Sequence, residues 1–241
     1  MNKGVVSVTF RKKTPEEVID IVKKAGLTHI EWGGDVHVPH GDVETAKRVG
    51  ELTRAAGLTV SSYGSYFKDP EADLQFEDVL ASAVALQTDI IRVWAGKKNF
   101  EASSEEERQT VYAFLSRAVA LAAEHNITVA TEYHRNTLTN SLEGTLELLK
   151  QVPGLKTYWQ PVVVTPEENC EAVRILGKNI VNAHIHNYDG QLHPFKDGVD
   201  NLSRFVKALE QYSDAKSVML EFVQGGTDEQ FFEDAESLLS L

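Results

Sequence analysis

Short apolar, β-branched runs alternate with longer amphipathic stretches along the whole chain. That alternation is the signature of βα units around a parallel sheet. "GVVSVTF" (4–10) reads as the first strand. "TPEEVIDIVKKAG" follows as a helix with Thr14 as N-cap, Pro15 at the first helical position and Gly26 at its end. "THIEW" (28–32) is the second strand, followed by a long loop and a helix over about 42–56. "LTVSSYG" (58–64) precedes a helix over about 71–87, and "DIIRVWAG" (89–96) precedes a long helix with Ser103 as its cap. "ITVATEYH" (127–134) leads to a helix over about 141–150, and "KTYWQ" (156–160) to "TPEENCEAVRILG" (165–177), which repeats the Thr-Pro cap. "IVNAHIHN" (180–187) and "SVMLEFV" (217–223) are the last two strands, with helices near 200–211 and over "DEQFFEDAESLLSL". Eight such units without a linker predict a single α/β domain over residues 1–241, a closed (β/α)8 or TIM barrel. The first strand is followed by no glycine-rich phosphate loop that would favour an open doubly wound sheet.

Composition narrows the function. The chain is 42% hydrophobic and 25% charged, ordinary for a globular protein, and 241 residues suit one such barrel. A net charge of −12 opposes binding to a nucleic-acid backbone. The lone Cys170 excludes an intramolecular disulfide framework and a multi-cysteine zinc site. "MNKGVVSVTF" has no signal-peptide core, and no run approaches the roughly 20 apolar residues of a membrane span. The expectation is a cytoplasmic protein acting on a small molecule, with neither nucleic acid nor membrane as partner.

In such barrels the chemistry gathers at the C-terminal ends of the strands and in the loops beyond. Most of the histidines fall there, His37, His134, His184 and His186 among them. His184 and His186 stand two apart, so in a strand they point to one face. The other strand ends carry Glu31 and Trp32, Arg92 and Trp94, Glu132, Gln160 and Glu221. Four consecutive strands therefore offer Glu132, Gln160, a histidine and Glu221 to one point. This thiolate-free set suits Mn²⁺, Mg²⁺ or Co²⁺, with Zn²⁺ as a further candidate. A metal flanked by two carboxylates can acidify a C–H beside a carbonyl, one carboxylate removing the proton and the other returning it.

These residues resemble the xylose-isomerase-like superfamily of sugar isomerases and epimerases, which also holds inosose dehydratase and, more distantly, apurinic endonucleases. The anchors are "TEYH", "AHIHNYDG", "MLEF" and "IEWGGDVHVPHGD". The resemblance implies a metal-dependent isomerase or epimerase of a sugar, sugar acid or sugar phosphate, often a dimer or tetramer. It implies Glu132 and Glu221 as acid/base pair, and Glu132, Gln160, His186 and Glu221 as metal ligands. His184 is the alternative ligand and otherwise a substrate contact. Two departures stand out: Gln160 replaces the family's usual aspartate, and Leu138 sits where the epimerases carry another glutamate. They keep open an inosose-dehydratase-like lyase, and a barrel that binds sugar without catalysis. Trp32, His37, Arg92, Trp94 and His134 are the remaining candidate substrate contacts. Their structural alternatives are core aromatics for the tryptophans, a structural ion pair for Arg92, and a solvated loop for His37.

Overall fold

The structure, a computed structural model, describes residues 1–68 and 75–241. Eight parallel strands close into a barrel: β1 (Asn2–Val6), β2 (His29–Gly33), β3 (Thr59–Gly64), β4 (Ile90–Val93), β5 (Thr128–Thr131), β6 (Lys156–Trp159), β7 (Ile180–Ile185) and β10 (Ser217–Leu220). A small antiparallel hairpin, β8 (Asn187–Tyr188) with β9 (Leu192–His193), rises after β7. The ring closes where β1 pairs with β10 on one side and β2 on the other. Outside it run α1 (Pro15–Lys24), α2 (Val43–Ala55), α3 (Phe76–Leu86), α4 (Glu105–Ala123), α5 (Leu142–Gln151), α6 (Pro166–Leu176), α7 (Val199–Tyr212) and α8 (Asp228–Leu239). The predicted barrel is the observed one.

Helix starts follow the side-chain chemistry at their first turns. Thr14 and Thr165 each form a capping box with a glutamate three residues on, and proline fills the next position in both. The cap of α4 is Ser104, not the expected Ser103. Ser104 Oγ accepts from Glu107 N, and Glu107 Oε2 accepts from Ser104 N. Ser103 Oγ instead donates to Asn99 O, closing the turn before the helix. Residues 71–74 of the expected third helix lie outside the described residues; α3 begins at Phe76.

The first strand stops earlier than its apolar run. After Val6 the chain tightens into a 3₁₀ turn over Ser7–Phe10. Two apolar layers then form. The larger packs the helices onto the outside of the barrel and includes Trp32, Ile91, Val129 and Trp159. The smaller fills the bottom of the barrel, with Val6, Ile90, Ala130, Tyr158 and Met219. Above that plug the strands end and polar side chains begin. Trp94, Glu132, Gln160, His186 and Glu221 are each the first residue after their strand.

Candidate active site

The polar layer above the apolar plug is a closed set of charges. Glu31, on β2, is fully buried, and its Oε1 accepts from Arg92 Nε at 2.8 Å. Ser62 Oγ donates to Glu31 Oε2 at 2.8 Å. Arg92, on β4, also bridges through Nη1 to Glu132 Oε2. Trp94 Nε1 donates to the same Glu132 oxygen at 3.0 Å. Gly64 leaves room for the pair: a Cβ there would stand 2.7 Å from Glu31 Oε1 and 2.8 Å from Arg92 Nη2.

His184 sits beneath both outer carboxylates with no exposed surface. Its Nδ1 is 3.4 Å from Glu132 Oε1 and 3.4 Å from Glu221 Oε1, and its Nε2 is 3.4 Å from Glu31 Oε1. None of these approaches is aligned as a hydrogen bond, so both ring nitrogens are left without a partner. Tyr158 packs edge-on to the ring, its hydroxyl accepting from Asn182 Nδ2 at 3.1 Å.

Electrostatics follow from this crowding. Burial alone would raise the Glu132 carboxyl, but Arg92 and His184 outweigh it and lower the group to about 2. For Glu31 burial is likewise opposed, and Arg92 and His184 hold it well below the usual carboxylate range. Burial pulls His184 down, yet the surrounding carboxylates, Glu221 and Glu31 foremost, raise it well above the ordinary imidazole value. His186 moves the other way, lowered chiefly by burial against the pull of Glu221.

Beside this layer opens a cavity of about 420 Å³. Gln160, His186, Glu221 and His134 line it, as do Arg135, Asn140, Tyr188 and an apolar wall of Val162, Val163, Leu192 and Phe222. Gln160 Nε2 donates to Tyr133 O at 2.7 Å, which fixes the amide and leaves Oε1 buried without a partner. His186 Nδ1 is also unpartnered, 4.0 Å from Glu221 Oε2. Among the described residues, Glu132, His184 and Glu221 offer ligand atoms that all lie within 4.8 Å of one another. Two carboxylates, imidazole nitrogens without partners and an amide oxygen without a donor fit a divalent cation of oxygen and nitrogen preference.

The sequence-derived candidates separate into two groups. Glu132, Glu221, His184, His186, Gln160, Trp94, His134 and Arg92 converge on this layer or its cavity. Trp32 and His37 do not. Trp32 is fully buried outside the barrel, its Nε1 donating to Thr53 Oγ1 of α2 at 3.1 Å, so it forms no wall for a substrate. Both ring nitrogens of His37 are engaged, with Ser7 Oγ at 3.0 Å and Lys13 O at 3.1 Å. Arg92 is paired with both Glu31 and Glu132 and does not line the cavity. His184 is fully buried and does not line the cavity, and it is His184 rather than the favoured His186 that groups with the two carboxylates. His134 stacks on Trp94, ring centroids 4.8 Å apart. The reading from sequence gave no role to Glu31, Arg135 or Tyr188. A glutamate between Ile30 and Trp32 in an apolar strand was the available signal for the first.

The family model described as the xylose isomerase-like TIM barrel matches residues 19–240. The chain belongs to that family. A curated relative, 3-dehydroshikimate dehydratase of Bacillus anthracis, is 28% identical over 169 residues, which is 65% of this chain. The match spans 60% of the relative's own length. Among solved structures, the probable 3-DHS dehydratase AsbF involved in petrobactin synthesis, from Bacillus anthracis, superposes with a TM-score of 0.77 at 21% identity, covering 100% of this chain and 98% of that one. D-psicose 3-epimerase from Clostridium cellulolyticum H10, solved with D-tagatose, gives 0.71 at 14%, covering 100% and 98%. At such identities these structural likenesses speak for the fold.

Proposed function

We propose that this protein is an enzyme that removes a proton from a carbon beside a carbonyl in a small polyhydroxylated compound, and that a neighbouring hydroxyl then departs as water. The observation that carries the reading is the unequal treatment of the two carboxylates above the barrel. Glu132 Oε2 accepts from both Arg92 and Trp94, which holds Glu132 as a fixed anion. The Glu221 side chain accepts no hydrogen bond among the described residues and lines the cavity. Glu221 is therefore the proton acceptor, and Glu132 the anchoring charge.

Glu132, His184 and Glu221 would hold a divalent ion, with Gln160 Oε1 and His186 Nδ1 as further donors on the cavity side. Bound there, the ion would supply Lewis-acid stabilisation of negative charge on substrate oxygen. The chain's own groups do the rest. Glu221 takes the proton, the C–H electrons form the double bond, and the C–O bond to the neighbouring carbon breaks. His134 lines the same cavity and is placed to protonate the departing oxygen. The curated relative named a dehydratase supports this outcome.

A second reading returns the proton to carbon, as an isomerase or epimerase does. The closeness of Glu132 to Glu221 favours it. One experiment separates the two. Protein supplied with Mn²⁺ is incubated in D₂O with 3-dehydroshikimate and a panel of ketoses, and products are followed by NMR. Dehydration shows as a new unsaturated product, isomerisation as deuterium in recovered or rearranged sugar. If neither exchange nor elimination occurs with any compound, the enzyme reading is wrong and a sugar-binding barrel replaces it.

A further inference from the structure

We propose that Arg135 recognises an anionic group, a carboxylate or a phosphoryl, on the molecule that occupies the cavity. The inference rests on reading that cavity as the active site. Arg135 follows β5 by four residues and lines the cavity together with Glu221, His186 and Gln160. Its side chain is exposed, and among the described residues it has no ion-pair or hydrogen-bond partner. Every other arginine of the chain is hydrogen-bonded or ion-paired through its guanidinium to a carboxylate or a carbonyl. In a chain of net charge −12, a guanidinium at a cavity mouth without an ion-pair partner among the described residues is the exception.

The backbone around Arg135 is tied down. His134 Nδ1 donates to Arg135 O at 2.6 Å, Thr137 Oγ1 to His134 O at 2.6 Å, and Asn136 N to Asn99 Oδ1 at 2.7 Å. The loop thus presents its cation from a fixed turn. Buried Arg92 is already paired with Glu31 and Glu132. A cavity of about 420 Å³ holds a small molecule, with the apolar wall of Val162, Leu192 and Phe222 left for its carbon skeleton. The planar guanidinium matches the two oxygens of a carboxylate or phosphoryl group. The substrate class is then an acid or phosphate rather than a neutral ketose.

Calorimetric titration tests this with matched probes: 3-dehydroshikimate against its methyl ester, D-galacturonate against D-galactose, and D-ribulose 5-phosphate against D-ribulose. Wild-type protein should bind at least one anionic probe about tenfold or more tightly than its neutral partner. Arg135→Gln should erase that preference, and Arg135→Lys should keep part of it. The pair that shows the preference identifies carboxylate or phosphoryl. Equal binding within every pair, a preference that survives Arg135→Gln, or no binding of any anionic probe overturns the proposal. The two readings fail separately. Arg135-dependent binding without any C–H exchange in D₂O would sink the enzyme reading alone, and exchange confined to neutral ketoses would sink this one alone.

Discussion

Arg92 is the residue on which the site's electrostatics turn. It is fully buried and spans two carboxylates, Glu31 and Glu132, which without it would be unpaired charges in a dry interior. Arg92→Met should therefore destabilise the fold by about 3–5 kcal/mol, measured by urea denaturation. The same carboxylates set an acid limit. Both have folded values below the unfolded value of about 4.3, so the stability they contribute is complete above that value. It should drain away as pH falls towards the Glu132 value of about 2. Thermal melts between neutral and strongly acid pH should show this loss for wild type, and a shallower one for Glu132→Gln. The fates of Trp32 and Glu31 also show what could not be read at this scale. Adjacent residues in a strand face opposite sides, and an apolar run by itself does not say which of two neighbours faces inward. Trp32 faces outward to Thr53, and the glutamate beside it faces Arg92.

At the scale of elements, the strands and helices were legible because hydrophobic period and caps agree along the chain. Boundaries were less so. The apolar run of the first strand continues to Phe10, but the ladder ends at Val6, because Ser7 turns to hold Gly33 N and His37. The run "SSEEE" offers a capping box in two registers, since Glu106 follows Ser103 and Glu107 follows Ser104 by the same spacing. The fold uses the second. Ser104→Ala should cost about 1 kcal/mol of stability, and Ser103→Ala distinctly less, by denaturant titration. The positional rule for barrels made most of the candidate site legible in the sequence. Trp94, Glu132, Gln160, His186 and Glu221 share one structural address, the first position beyond a strand. His184, two residues earlier on β7, takes the deeper level of the same face.

For the whole molecule, the barrel holds like charges together. An apolar plug closes the bottom, the strand ends raise carboxylates and imidazoles above it, and the loops leave a cavity on one side. A divalent cation bound there would relieve the repulsion between Glu132 and Glu221. Chelator-stripped protein should therefore gain thermal stability on addition of Mn²⁺, by an amount that grows with its concentration. Glu132→Gln should lose most of that gain, and an unchanged melting curve would remove the metal from the account.

The central claim is that Glu221 takes a proton from carbon. The most direct test is deuterium exchange from D₂O into the best substrate of the panel, compared between wild type and Glu221→Gln at saturating Mn²⁺. The account predicts an exchange or elimination rate lower by about 10²–10⁴ in the variant, with the fold intact by circular dichroism. Wild-type rates in Glu221→Gln would contradict it.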